Sequence, residues 1–564
     1  MIEELATASV LLQRALERYL AACSAVQKSC AFGDLPPELA NRVVQELELV
    51  PTYESMLRYA NSSIRYARNA LPFTPINSLP YEVMSHIFGL VVGDNCSLYQ
   101  VQSTGCKVRS KYPDILARVC SHWRHIALGL RTFWSHIDIF FDDSFNTPSI
   151  SRADIHALRA GETPLFLHVH LSNTAQQSSF DSATLQSIAA IAPRTWAFDI
   201  TSETPHRNLL ETTFETVLRY CTPGMLTKLT VKSLPAFENT INQFILARLG
   251  IDSASHVDVN NQNLIVGLPA QYLDDAMLHL NSLNMERVFI PWYSRAYHNL
   301  SELRLTTGSG GLEREGGTIL ESDLIVILRS SPLLQSLELG LVVLGGVPTT
   351  TPVEPIVLHH IEMLKVVVQV PGRNPLSLRE SELGTLLRWI SPGPKLLRLS
   401  IINFPGVIWT VEAPLFKGEL VRDFFRRSNV ATVTAKWLNA DHQIADLWNA
   451  APTIKCMILE ELERRSLVGR GFQVTDSSAY LETLYMLKSD ITILWDVILA
   501  LKPRRVFLWN CYGHFTAHSE PPNATPRMSQ SLIIPSNVKS QLSHIPTIQF
   551  LERDPRILDE CEFE

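Results

Sequence analysis

The sequence predicts an α plus α/β chain, with N-terminal helices followed by an irregular array of alternating strands and helices. Three observations predict it. Apolar residues recur at helical spacing through roughly the first 130 positions. A phrase made of a helical run, a proline and then L-x-x-L-x-L returns several times between residues 137 and 550. At 564 residues the chain also exceeds one ordinary globular core.

The first element covers residues 2 to about 30. Leu5, Leu12, Leu16, Tyr19 and Cys23 share one face of a helix, with Arg14, Glu17 and Arg18 opposite. A second helix is expected from Asp34, where an acidic cap precedes Pro36 and Pro37. A third would carry Tyr53, Leu57, Ala60, Ile64 and Ala67 on one side. Residues 1–71 therefore read as a helical region, either a small bundle or a dimerisation arm. Packing within the chain is the expectation, because no heptad pattern persists.

The stretch 76–92, "INSLPYEVMSHIFGLVV", predicts a helix with Ser78 as cap, Pro80 in the first turn and Glu82 near the N-terminal dipole. Val83, Ile87 and Leu90 or Val91 form one apolar stripe, and Met84 and Phe88 widen it beyond half the surface. A short helix that apolar must be buried on several sides, by its own chain or by a partner. A polar insert at about 93–111 reads as a surface loop. Helical signals resume at "YPDILARV" and run into "VCSHWRHIALGLRTFWSHIDI" (119–139), where Val119, Trp123, Ile126 and Ala127 recur at helical spacing. His122, His125 and Cys120 crowd together there. Zinc needs four ligands at compact spacings, and a second pair is missing. The cluster is read as packing, with its histidines at solvated or edge positions.

These two stretches resemble the F-box, whose pattern runs L-P-x-E-[IL]-x-x-x-I-F, then V-C-x-x-W-R-x-[IL]-A, then a hydrophobic residue and Trp. Leu79, Pro80, Glu82, Val83, Ile87, Phe88, Val119, Cys120, Trp123, Arg124, Ile126, Ala127 and Trp134 match. The style is similar to the F-box-like families of mushroom-forming fungi. The insert lengthens the link between the halves, and "RTFW" lacks the usual proline. "DLPPELANRVVQEL" (34–47) opens in the same way but has no second half, and is read as an ordinary helix. The resemblance implies a three-helix module over residues 72–136 that docks a Skp-type adaptor and, through it, a cullin-RING ubiquitin ligase. It points to Leu79, Pro80, Ile87, Phe88, Val119 and Trp123 as adaptor-binding or interface-supporting positions, with a purely core role for Val119 and Trp123 left open.

In residues 137–550 the phrase appears in "VLRYCTPGMLTKLTV", "VILRSSPLLQSLEL", "LLRWISPGPKLLRLSI" and "LWNAAPTIKCMIL", with weaker copies at Pro193 and Pro503. The underlying period is about 30 residues. This spacing resembles leucine-rich repeats, in which one strand per repeat points its leucines inward and a helix covers the convex side. Proline would stop each helix before the chain turns into the strand. The match is degenerate, since the Asn or Cys that normally follows the strand is present only as Cys511 and inserts such as 306–322 interrupt the period. Residues 551–564 read as an acidic tail.

Several functions are disfavoured. A net charge of −7 without a long basic run argues against nucleic-acid binding, and no apolar run reaches the roughly 20 residues of a membrane span. Glu3, Glu4, Arg14, Glu17 and Arg18 interrupt any secretory signal core, and nine scattered cysteines read as the reduced thiols of a cytoplasmic or nuclear protein. "GSGG" (308–311) fails the dinucleotide pattern. His168 and His170 share a strand face but lack a third ligand, and are read as exposed edge residues. Asp142–Asp143 and Asp274–Asp275 are read as turn or capping residues.

The expectation is a non-enzymatic substrate-receptor subunit of a Skp–cullin–F-box ubiquitin ligase, without catalytic residues, metal or cofactor, whose repeats bind an unidentified target protein. The rival reading is a leucine-rich-repeat scaffold that delivers nothing for ubiquitination. A hydrolase or metal enzyme within the repeats is a third.

Overall fold

The computed structural model describes residues 2–31, 36–70, 75–92, 113–141, 146–172, 182–203, 207–233, 243–248, 263–307, 317–345, 353–368, 382–403, 415–416, 418–438, 443–462, 480–489, 497–498, 501–511 and 547–551. The chain divides into two compact units, residues 1–133 and 134–564. The polar insert, Asp34, Asp142–Asp143, the GSGG run and the acidic tail lie outside the described residues.

The first unit is helical. Helix α1 spans Ile2–Ala31 and α2 spans Pro37–Ala70. The second and third helices expected from the sequence are one. Pro51 lies inside α2 and removes one backbone donor, a defect of about 3 kcal/mol in a helix interior. Good helix formers on both sides (Glu46 to Leu49, Met56 to Arg58) carry the helix through. Continuity also corrects the reading of the heptads. Leu39, Val43, Glu46, Val50, Tyr53, Leu57, Ala60, Ile64 and Ala67 alternate spacings of four and three without losing phase at Pro51.

A 3-10 turn, Pro75–Ser78, leads to α3, Tyr81–Val92. Pro80 precedes the helix rather than opening it, and its carbonyl accepts the first bond, from Met84 N at 3.0 Å. The following helical run is broken. Helix α4 spans Leu116–Val119 and α5 spans Ser121–Gly129. Cys120 between them is extended and caps α5, its Sγ accepting from Trp123 N.

The second unit is mixed α/β, built on a 14-stranded sheet whose described pairings are all parallel. Strands β1 (His136–Phe141), β2 (Leu165–Leu171), β3 (Thr195–Ser202) and β4 (Lys228–Ser233) lie side by side. The series continues in chain order through strands beginning at 282, 302, 336, 363, 397, 430, 456, 483, 505 and 547. Most successive starts are 20 to 34 residues apart, as the repeating phrase predicts. The inward leucine pattern holds: Leu229 and Val231, Leu303 and Leu305, Leu337 and Leu339, and Leu484 and Met486 are all buried. Helices α6 (Asn146–Ala160), α7 (Ser182–Ile191) and α8 (Arg207–Tyr220), which connect these strands, pack in succession as a second layer. Trp134, the last residue of the F-box-like pattern, is buried in this unit, edge-on to His156 and beneath the Arg159 guanidinium.

The repeated proline falls two or three residues past the helix end in most copies, and the residue before it ties neighbouring turns together. Thr222 Oγ1 donates to Pro193 O at 2.7 Å, and Ser331 Oγ donates to Tyr297 O at 2.6 Å. At the other end of the strands, the next residue is left-handed at Arg287, Trp437, Glu461, Lys488 and Asn510. In four of these cases its N–H still reaches the following strand, as in Lys488 N to Trp509 O at 2.9 Å. The chain thus turns away without abandoning the ladder. After that residue, Cys511 Sγ donates to Met486 O, and Ser489 fills the same place one strand earlier, donating to Leu487 O at 2.8 Å. The serine is a post-strand polar residue that the search for Asn or Cys missed.

Among the described residues, one ion pair is fully buried. Glu321 opens the helix Glu321–Ser330 and its Oε1 accepts from Arg388 Nε at 3.0 Å and from the Trp389 indole. Asp274 and Asp275, read as turn residues, lie within the helix Ala270–Met277, where Asp274 accepts from Ser294 Oγ at 2.6 Å.

Two predictions follow from this architecture. Arg388→Met strands the Glu321 charge and should cost about 3–5 kcal/mol in urea unfolding, most of it regained in Glu321→Leu with Arg388→Met. Arg287→Gly should leave stability unchanged or higher, whereas Arg287→Ile, β-branched at positive φ, should lower it by about 1–2 kcal/mol.

Candidate functional site

The sequence-predicted positions gather on α3, α4 and α5. Met84 and Phe88 point inward from α3 and are fully buried, together with Leu116, Ile126 and Ala127. The Phe88 and Trp123 rings are in contact, centroids 4.9 Å apart and tilted at 56°. Trp123 donates its indole N–H to Asn77 Oδ1 at 2.9 Å, which ties α5 to the 3-10 turn ahead of α3. Arg124 donates from Nε to Ala117 O at 2.8 Å and so clamps the α4–α5 break. The W-R pair that carries the family resemblance is therefore structural mortar: Trp fixes the turn before Leu79, and Arg fixes the kink at Cys120.

The opposite side of α3 is uncovered. Val83, Ile87 and Leu90 recur at i, i+4 and i+7 and form one row. Val83 is 43% exposed, Leu90 is 71% exposed, and Ile87 is half-buried. Val119 at the end of α4 is 51% exposed, and Pro80 is also exposed. Leu79 and Trp123 are half-buried. Of the six named positions, Pro80 and Val119 thus reach a surface most directly, Leu79, Ile87 and Trp123 partly, and Phe88 supports from within. The residues missing from that set are Val83 and Leu90. Their signal was the stripe itself, read from the same periodicity. Isolated apolar residues on a surface are ordinary, but a row along one short helix is a contact surface without its contact.

The neighbouring histidines take no part. His122 and His125 are exposed on α5, and no group of three His, Cys, Asp or Glu side chains suited to a metal occurs among the described residues.

His168 and His170 behave differently from expectation. Their strand β2 lies between β1 and β3, so they are not at an edge, and both are buried. His168 is 6% exposed, its ring tilted against Phe166 at 3.8 Å and beside Asp199, with Nδ1 4.0 Å from the carboxylate. Burial pushes its pKa down to about 3, with His136, Lys228 and Lys232 adding repulsion. Burial likewise raises the Asp199 carboxyl. The contact is therefore one with a neutral imidazole. Below the ordinary histidine pKa of 6.5 the unfolded chain takes up a proton that folded His168 refuses until about pH 3. Stability should fall as pH drops through that window, by up to about 1.4 kcal/mol per pH unit from this residue. His168→Phe should flatten the slope in urea titrations at successive pH values.

Comparison of the chain with protein-family models and with curated proteins finds no match.

Proposed function

We propose that the chain is the substrate-receptor subunit of a Skp–cullin–F-box type ubiquitin ligase, acting in the cytoplasm or nucleus and not itself an enzyme. The α3–α5 module is the F-box and docks the adaptor. The sheet unit is an irregular leucine-rich-repeat-like solenoid that presents its open face to a target protein. The ligase would then act by holding the target close to the charged conjugating enzyme, an effective-concentration effect.

The observation that carries this reading is the uncovered Val83–Ile87–Leu90 row on a helix whose other side is buried through Met84 and Phe88, the latter against the Trp123 ring. A helix apolar on both sides needs two partners, and the described residues of this chain supply one. No helix among the described residues is long and apolar enough to cross a membrane.

The open face of the sheet has a composition that suits a protein target. In its middle, Arg304 bridges Glu302 at 2.7 Å and Glu338 at 3.8 Å, and Lys365 meets Glu338 at 2.7 Å across three neighbouring strands. Burial pushes the Glu302 carboxyl up, but Ser282 and Arg304 pull it net below its ordinary value. Towards the last strands, Tyr485 and Phe507 stack at 4.8 Å, with Lys488 set over Trp509. Aromatic side chains on a rigid platform beside charges are the make-up of binding hot spots.

The test is co-purification of the full chain with a Skp-type adaptor. Wild type should bind, and Val83→Asp with Leu90→Asp should weaken binding at least about a hundredfold, since each apolar side chain contributes about 1.5–3 kcal/mol when buried. Far-UV circular dichroism should stay unchanged, whereas Phe88→Ala should cost about 3–5 kcal/mol of stability. No binding by wild type, or full binding by the double variant, refutes the reading. Ubiquitination of a captured partner in the reconstituted ligase separates a receptor from a mere scaffold.

A further inference from the structure

In the second unit, a cavity of about 790 Å³ lies where the turns at 392–394, 425–429 and 450–453 meet Val357 and His359. Its size falls within the roughly 300–1,000 Å³ of small-molecule sites. Val357 and Pro392 belong to two short strands, Ile356–Leu358 and Ile390–Pro392, which pair in parallel. With Pro394, Phe425 and Pro452 they give the cavity apolar walls. Gly393 lets those walls close: its N–H donates to Leu358 O at 3.1 Å, and a Cβ there would sit 2.5 Å from His359 O. The charged groups among the described lining residues are Arg426 and Arg427; none is Asp or Glu. The two arginines differ. Arg426 is engaged by Glu419 at 2.9 Å and Asp423 at 2.6 Å. Arg427, half-buried at the end of the helix Glu419–Arg427, has no acid within ion-pairing distance among the described residues. Its Nε donates to Ile390 O at 3.1 Å and its Nη2 to Leu387 O at 2.6 Å. These neutral carbonyls fix the plane of the guanidinium but leave its charge unanswered. Burial lowers its pKa, against the pull of Asp423, whose carboxylate Arg426 already holds.

We propose that this cavity binds a singly charged carboxylate carried on an apolar body, the carboxylate pairing with Arg427 and the body lying against Pro392, Phe425 and Pro452. A half-buried cation without a counter-ion is unfavourable, and an entering acid removes that penalty. The count of charges decides the class. One unmatched guanidinium balances one carboxylate, and its fork fits the two oxygens, whereas a phosphate dianion would keep a second charge unpaired. The site draws no residue from the α3–α5 module or from the outward face of the long sheet. It therefore stands whether or not those surfaces meet an adaptor and a target.

The test is isothermal titration calorimetry of the full chain with two acids, each beside its neutral amide. One is naphthalene-2-carboxylate; the other is an acetylated tripeptide ending in phenylalanine. At least one acid should bind about tenfold tighter than its amide, and the pair that does so tells a small acid from a chain terminus as the source. Arg427→Gln should bring the acid down to the level of the amide, with urea unfolding alongside to read the loss of the two carbonyl contacts separately. Val357 is 48% exposed on the cavity wall, so its substitution spares the core. Val357→Asp should abolish the preference for acid. Val357→Lys should tighten the acid about threefold and leave the amide unchanged, a gain that loss of folding cannot mimic. Acid and amide binding alike, or neither acid binding, overturns the proposal. So does a preference for acid that survives Arg427→Gln or Val357→Asp, or one that Val357→Lys leaves unchanged.

Discussion

The parallel backbone ladder is the constraint on which the second unit depends. A parallel strand satisfies its N–H and C=O groups only when a neighbour lies on each side, and here each neighbour is the next member of the same sheet in chain order. That arrangement demands a connection of fairly constant reach between strands, which a helix and a proline turn provide. It also demands a way off the strand that does not cost a rung. The left-handed residues after four of the strands meet this demand: the chain changes direction while the amide still donates to the next strand. Arg, Trp, Glu and Lys adopt this conformation at some cost in local strain, evidently outweighed by the bonds it preserves.

The same geometry divides the side chains. Alternate residues face the helices and close the core, and most of them are Leu, Ile, Val, Met or Phe, with Ala at positions such as Ala435. The residues between them face outwards and are free to vary, from the buried imidazole of His168 through the Glu302–Arg304–Glu338–Lys365 chain to the Tyr485–Phe507 stack. Under the proposed reading, recognition is written into this second set alone, and a new target needs no change to the packing beneath it.

Much of this was legible in the sequence, where local chemistry and tertiary need agree. The L-x-L pairs mark strands because burial alternates there, and in the repeats proline marks the end of a helix because it lacks the donor that would extend it. The α3 stripe told which residues were apolar, but not which of them the chain itself would cover. That required knowing that Trp123 swings back to Asn77 and so occupies the Phe88 side. Other features were hidden by competing effects. Pro51 looks like a boundary, yet its neighbours are strong enough helix formers to override it. Cys120 looks like helix interior, yet its extended backbone starts a new helix. His168 and His170 looked like edge residues because neither strand order nor the neighbours Phe166 and Asp199 can be read from one strand. Ser489 was invisible because the pattern sought a residue type, whereas the turn needs only a small side chain able to bond back to a carbonyl.

Strand order has one further consequence. Since each strand of the long sheet touches only its predecessor and its successor, cohesion is a sum over adjacent pairs rather than a property of the whole. Such a molecule yields from its tip inwards. Peeling away the strand at Thr547–Leu551 exposes only the edge of Arg505–Trp509, and the rungs nearer β1 lose nothing. Its mechanical resistance is therefore a succession of small, similar steps, the behaviour of a zip rather than of a brittle globule.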